Sequence, residues 1–379
     1  MKIPSPLLVL LVLLFAAPAW SAAKPIPNPP ALNASSYILM DFDSGQVLAE
    51  ENADERLPPA SITKLMTAFL VDKAIADGDI SLDDIVTVSK KAWQMKGSLM
   101  FIEVGEKVSV ENLLKGLIIQ SGNDASVALA EHIAGSENAF VGYMNHQAQL
   151  LGMTNTNYMN ATGWPHPEHY STARDIAILT QAMIREFPES YRFYKERTFT
   201  YNDISQPNRN RLLRRDETVD GVKTGHTEEA GYCLVASAKR GEMRLISALL
   251  GSRTDQARFE SSLSLLNYGF RFYETHRLYQ ANEVLQSSRV WYGNQEQVAM
   301  GVPRDIFITI PRGRYRDLDA SMEIDSEISA PVSRGQQLGQ VNIKLDEELL
   351  VTEQIVAMQE VQEGSLFARA LDSIKLMFR

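Results

Sequence analysis

The sequence predicts an α+β chain: a first domain that mixes helices with antiparallel hairpins, a small all-β domain after it, and a short amphipathic helix at the end. Three observations predict it. Before residue 272, apolar residues recur at helical spacing, and the strand-like runs between them are joined by turns rather than by βαβ crossovers. From about residue 280 only short strand candidates occur, separated by Gly and Pro turns. After Gly364, Phe367, Ala370, Leu371, Ile374 and Phe378 share one helical face, with Arg369, Lys375 and Arg379 off it.

Bulk properties narrow the function. A chain of 379 residues fits about two domains, and 45% apolar residues suffice for a sizeable core. A net charge of −10 argues against nucleic acid as a partner, since a phosphate-binding surface needs concentrated Lys and Arg. Lys2, the unbroken apolar run 7–15 and the small residues Ser21 and Ala23 read as a signal peptide cleaved after Ala23. The run is shorter than the ~20 residues that span a bilayer. The mature chain is therefore expected outside the cytoplasm. Cys233 is the single cysteine, so no intrachain disulfide forms, and its place in an apolar strand-like run reads as a buried thiol rather than a nucleophile.

The elements follow in order. Pro25, Pro27, Pro29 and Pro30 make an extended leader; 36–40 and 46–49 form a hairpin around the turn Asp43-Ser44-Gly45. Pro58 and Pro59 end the next loop, and Ile62, Leu65, Met66, Phe69 and Leu70 mark a helix with Ser61 at its start. A second helix covers about 110–119, and a third begins near Asp124. The triplet Ser121-Gly122-Asn123 lies in the tight loop between them. Ser171 or Thr172 caps a helix over 176–184. Strands are expected at 219–224, 230–237 and 243–250, then a helix over 261–272. The first domain is set at 24–280, the β domain at 281–362 with strands near 289–292, 306–310 and 349–356, and the terminal helix at 363–379. That helix has two readings: it lies in a membrane interface, or it docks on its own β domain.

Three short motifs carry the chemistry: Ser61-Ile62-Thr63-Lys64, Ser121-Gly122-Asn123 and Lys223-Thr224-Gly225. Ser61 and Lys64, three apart on one helix, share a face. A serine hydroxyl needs a base, and a desolvated lysine near other cations can be that base. Backbone N–H groups at the helix start can stabilise an oxyanion. Ser121 offers a hydroxyl that could shuttle a proton, and Asn123 an amide that could hold a substrate amide. Lys223 and Thr224 on an edge-like strand could grip a carboxylate. Gly225 would leave room for a substrate alongside, and the His226 N–H could complete an oxyanion hole. Alone, each motif has a plain reading as a helix cap, a turn or a strand end. Ser21-Ala22-Ala23-Lys24 and Ser136-Glu137-Asn138 show how cheap single matches are. The ordered set, each member in its proper setting, points to a serine acyl-transfer enzyme with a lysine base. His166-Pro167-Glu168-His169 suggests metal, but Pro167 argues against a helical zinc pair, so it reads as a surface loop. His132 and His146 sit in helical runs and read as structural. No cofactor is implied.

The motif set resembles that of penicillin-binding proteins and class A β-lactamases. With Asn208-Arg209-Asn210 and Ile310-Pro311-Arg312-Gly313, the whole mature chain resembles the low-molecular-mass penicillin-binding proteins: periplasmic serine D-alanyl-D-alanine carboxypeptidases with an amphipathic membrane anchor. The resemblance implies a β-lactamase/transpeptidase-like domain, an antiparallel sheet flanked by helices, followed by a sandwich-like β domain. It implies Ser61 as nucleophile, Lys64 as base and Ser121 as proton relay. It further implies Asn123, Lys223, Thr224, Gly225 and His226 at the substrate, with Arg209 and Arg258 in support. The expected partners are a peptidoglycan stem pentapeptide ending in D-Ala-D-Ala, β-lactams that acylate the same serine, and the outer face of the cytoplasmic membrane.

Two departures stand out. Thr162-Gly163-Trp164 replaces the family's His-Gly-Leu at a loop bordering the site, which bears on deacylation, and the tail ends sooner than the family's longest. Glu168 lies in a loop comparable to the one that carries the β-lactamase deacylation glutamate, but its surroundings differ. A cross-link endopeptidase and a non-catalytic scaffold are the other readings.

Overall fold

The computed structural model describes residues 26–377; the signal-peptide reading and Phe378 and Arg379 lie outside the described residues. The first domain is built on a five-stranded antiparallel sheet. Strands β1 (Ser36–Asp41) and β2 (Val47–Glu51) form the expected hairpin; β3 (Val219–Thr227), β4 (Gly231–Arg240) and β5 (Met243–Ser252) form a meander. Across the sheet the order is β2-β1-β5-β4-β3, because β1 pairs with β5 from Ser36↔Leu250 to Asp41↔Leu245. The KTG strand β3 is thus a sheet edge, open on one side.

The sheet strands are longer and more uniformly apolar than a half-exposed sheet would require, because both faces are covered. Ile246, Ala248 and Leu250 of β5 pack on one side, with α1 (Lys64–Ala76), α2 (Asn123–Ala134) and α3 (Ala173–Glu186). Met243, Leu245 and Leu249 pack on the other side, under α4 (Asp255–Phe272). Period-two alternation divides one strand between two cores. Thr172 caps α3 by accepting from the Asp175 N–H at 3.0 Å, and Thr254 caps α4 in the same way through Ala257.

Helix α4 runs directly into the strand Tyr273–Tyr279, which pairs with Ile306–Pro311. That strand lies before residue 280, yet its partner belongs to the β domain. The remaining strands build a six-stranded sheet around Val298, Met300, Ile308, Val341, Ile343 and Ile355. A hydroxyl chain ties the domains: Thr275 donates to Asp41 Oδ2 at 2.6 Å and lies 3.0 Å from the Thr309 hydroxyl, which is 2.7 Å from the Ser44 hydroxyl.

The terminal helix α5 (Leu366–Met377) is held by Asp372, which accepts from the Tyr292 N–H at 2.9 Å and pairs with Arg289 at 3.2 Å. Leu366, Phe367, Ile374 and Met377 remain exposed. Among the described residues no helix is long and apolar enough to cross a membrane.

Candidate active site

Ser61 does not open an α-helix directly. It sits in a 3₁₀ turn, Ala60–Thr63, that runs into α1, and Ala60 just before it has φ +48°. A non-glycine residue at positive φ is uncommon, and here it stands beside the nucleophile candidate. The turn presses on the neighbouring backbone. At Gly163, φ +82°, a Cβ would lie 1.8 Å from Ala60 O, so only glycine fits. Gly225 serves the same turn: a Cβ there would lie 3.0 Å from Pro59 O and 3.2 Å from Ile62 Cγ1. The smallness of Gly225 lets β3 approach the Ser61 turn, a different reason from the substrate room expected of it.

Lys64 is fully buried, and its ammonium is the hub of the site. Lys64 Nζ donates to Ser61 Oγ at 3.1 Å, to Asn123 Oδ1 at 2.7 Å and to Thr162 O at 2.6 Å. Burial lowers its pKa to about 7, with Arg209 acting in the same direction and the Asp124 carboxylate opposing. Lys223, also buried, is pushed well below its ordinary value by burial, then by Lys64, Arg209 and Arg258. Its Nζ is 3.2 Å from Thr224 O.

The second motif is folded more tightly than a plain loop. After the helix Val110–Lys115 comes a π-turn, Gly116–Gln120, which ends at Ser121 in the left-handed region (φ 63°); Asn123 already begins α2. Ser121 Oγ is buried without a hydrogen-bond partner among the described residues, so it is not joined to Lys64 in this state. Asn123 is fully engaged: Oδ1 accepts from Lys64, and Nδ2 donates to Lys96 O at 2.6 Å.

The sequence reading missed the groups that hold these residues still. Asn160 Oδ1 accepts from the N–H groups of Thr162, Gly163 and Trp164 and from the Thr162 hydroxyl, fixing the carbonyl that grips Lys64. An Asn two residues before Thr-Gly was the available signal for this turn. Asp124 accepts from the Met100 and Phe101 N–H groups and pins the facing segment. His169, expected on a surface loop, is buried. Its Nε2 lies 2.9 Å from Thr63 Oγ1, and burial pulls its pKa down to about 4, so the ring is neutral. Glu168 is exposed and does not line the cleft, and among the described residues no cluster fit to hold a metal ion occurs. Cys233 is buried in β4 with its thiol pushed up to about 11, unfit as a nucleophile.

Ser61, Asn123, Thr162, Gly163, Trp164 and His226 line one cleft of about 560 Å³ at the open edge of β3. Arg209 and Arg258 do not line it. They face a neighbouring cleft and reach the motifs through backbone. Arg209 Nε donates to Gln120 O at 3.0 Å, next to Ser121, and Arg258 donates to Gly225 O at 2.9 Å. The described site therefore brings together a hydroxyl, a lysine whose pKa is about 7 and a second buried lysine, which suits acyl transfer through serine.

Comparison with known proteins agrees with this chemistry. Residues 23–254 match the family model described as D-alanyl-D-alanine carboxypeptidase, and residues 273–363 match the C-terminal domain of penicillin-binding protein 5. The D-alanyl-D-alanine carboxypeptidase DacA of Escherichia coli strain K12 is 46% identical over 361 residues, covering 93% of this chain and 90% of its own. The crystal structure of penicillin binding protein 5 from Haemophilus influenzae superposes with a TM-score of 0.86 at 42% identity, over 89% of this chain and 100% of that one. Penicillin-binding protein D2 of Listeria monocytogenes, solved in an ampicillin-bound form, covers 64% of this chain and 99% of its own at 32% identity and a TM-score of 0.59. With its mixed first domain, its C-terminal β domain and a serine in contact with a buried lysine, the chain belongs to the serine-type D-alanyl-D-alanine carboxypeptidases.

Proposed function

We propose that the protein removes the terminal D-Ala from peptidoglycan stem pentapeptides through an acyl-enzyme on Ser61, and so limits the donor strands available for cross-linking. The observation that carries this is the 3.1 Å contact between Ser61 Oγ and a buried Lys64 whose pKa is about 7. Neutral Lys64 takes the Ser61 proton as Oγ attacks the carbonyl of the penultimate D-Ala. The N–H groups of Ser61 and His226 hold the oxyanion. The C–N bond then breaks, and the proton reaches the departing amine by way of Lys64 and Ser121. The unpartnered Ser121 hydroxyl beside the site is free for that relay. Asn123 turns its amide from Lys64 and Lys96 toward the substrate as the peptide enters. Lys223 and Thr224 hold the terminal carboxylate, with Gly225 letting their strand close on the Ser61 turn and Arg209 and Arg258 fixing the backbone around them. Water hydrolyses the ester and restores Ser61.

β-Lactams acylate the same serine, a reading supported by the ampicillin-bound relative. The protein works in the periplasm, and the exposed apolar row of α5 lies on the outer face of the cytoplasmic membrane. The β domain carries the catalytic domain above that surface.

The test is intact mass after benzylpenicillin. A persistent adduct that maps to Ser61 and disappears in Ser61→Ala is expected. Rapid return to the free mass with drug consumption indicates a β-lactamase, and the absence of any adduct on a protein that folds overturns the reading.

A further inference from the structure

His169 is 4% exposed and lies outside the cleft that Ser61 lines. A buried imidazole needs a partner at each nitrogen, and this one finds them on two different turns. Nε2 lies 2.9 Å from the hydroxyl of Thr63, the residue before Lys64. Nδ1 accepts from the Met159 N–H at 3.4 Å and lies 3.3 Å from Asn160 Nδ2. Both groups facing Nδ1 can only donate. A backbone N–H has no lone pair, and the Asn160 amide is oriented by the three N–H groups that its Oδ1 accepts. Nδ1 is therefore the bare nitrogen, and Nε2 carries the proton and donates it to Thr63 Oγ1. Only the neutral ring in this one tautomer satisfies all of these contacts.

The two turns joined by the ring are the two sides of one bond. Thr63 belongs to the 3₁₀ turn that carries Ser61 and runs into Lys64, whereas Asn160 holds the turn whose Thr162 carbonyl accepts from Lys64 Nζ at 2.6 Å. The histidine is itself fixed in place. The Tyr158 ring meets it edge-on at 5.8 Å, and the next two residues pair with other segments, Tyr170 with Asn157 and Ser171 with Leu57. Its hydrogen bonds reach neither Ser61 nor Lys64. Resting on the acyl-enzyme reading above, we propose that His169 is a positioning residue for the reaction: a clamp that sets the spacing between the Ser61 turn and the Thr162 carbonyl, and so keeps the Lys64 amine dry and aimed at Ser61 Oγ. Without the clamp the Thr162 turn moves off Lys64 and water enters, so the ammonium is hydrated again and its proton is harder to remove. The charges facing Lys64 are Asp124, Arg209 and Lys223, and those facing His169 are His166 and Lys64. Replacing the ring leaves all of them in place.

The test is the pH profile of the benzylpenicillin acylation rate in the full-length enzyme, in His169→Leu and in His169→Gln. Leucine fills the space without a polar atom, and glutamine keeps a donor and an acceptor. The wild-type midpoint is expected at about pH 7. In His169→Leu it should rise by about one unit, which lowers the rate about fivefold at pH 7 and less than about twofold at pH 9. His169→Gln should return the midpoint most of the way. A role in stability alone would lower the unfolding temperature and leave the midpoint where it is. An unmoved midpoint in His169→Leu overturns the clamp, and so does a glutamine variant that shifts as far as the leucine one. If His169→Leu does not fold, Thr63→Val decides by the same readout, since it removes the acceptor of Nε2 with little change of shape. A wild-type enzyme that forms no adduct at Ser61 sinks the acyl-enzyme reading and the clamp with it, whereas normal wild-type adducts with an unmoved midpoint sink only the clamp.

Discussion

Lys64 shows how far a side chain can be moved by its surroundings. An ordinary lysine holds its proton to about pH 10.4. Burial brings Lys64 to about 7, so below that pH it is charged and useless as a base, and above it neutral and able to take the Ser61 proton. The benzylpenicillin acylation rate should therefore climb about tenfold per pH unit below 7 and level off above about pH 8. A rate that is flat from pH 5 to 8 would remove Lys64 from the role of base. Ser61, Lys64, Ser121 and Lys223 could be picked out of the sequence as candidates because the proposed chemistry requires side chains of particular types at local spacings. Asn160 and Thr162 could not be, because Thr162 acts through a backbone carbonyl, which any residue carries, and Asn160 acts only by holding it.

Among the elements, α1 carries two buried ionisable groups with opposite consequences. Lys64 touches Ser61 Oγ, whereas Asp72, two turns further on and 2% exposed, does not line the cleft. Burial pushes its carboxyl up to about 7. The unfolded chain would lose that proton near pH 3.9, so between the two values the folded state binds more protons and stability falls as pH rises. Asp72→Asn should raise the unfolding midpoint by several degrees at pH 8, where the raised carboxyl pKa costs about 4 kcal/mol, and change it little at pH 4. Equal shifts at both pH values would show that the carboxyl is not held neutral. Element positions were readable from periodicity: α3 and β3 to β5 lie where the apolar patterns put them, with ends extended by a few residues. The pairing of β1 with β5 was not readable. It joins segments about two hundred residues apart, and nothing in either strand's alternation names its partner.

For the whole molecule, the question is what the terminal helix does. Asp372 ties α5 to the β domain while its apolar side chains stay exposed, so the two readings of the tail meet in one structure: docked at one point, open along one face. A chain ending at Gly364 should keep its benzylpenicillin acylation rate within about twofold and lose co-sedimentation with anionic lipid vesicles, since an amphipathic helix binds through its buried apolar area. Equal sedimentation of both forms would return the helix to a purely structural role. The connection between the domains adds a constraint of another kind. Helix α4 passes into the strand Tyr273–Tyr279 with no intervening linker, and the Asp41, Thr275, Thr309 and Ser44 chain braces the corner. Such a braced elbow would turn a catalyst held by its tail, as proposed above, into a ruler. With the tail on the membrane surface proposed for it, Ser61 would work at one height above that surface, and lengthening the β domain would move the layer of wall being trimmed rather than the rate of trimming.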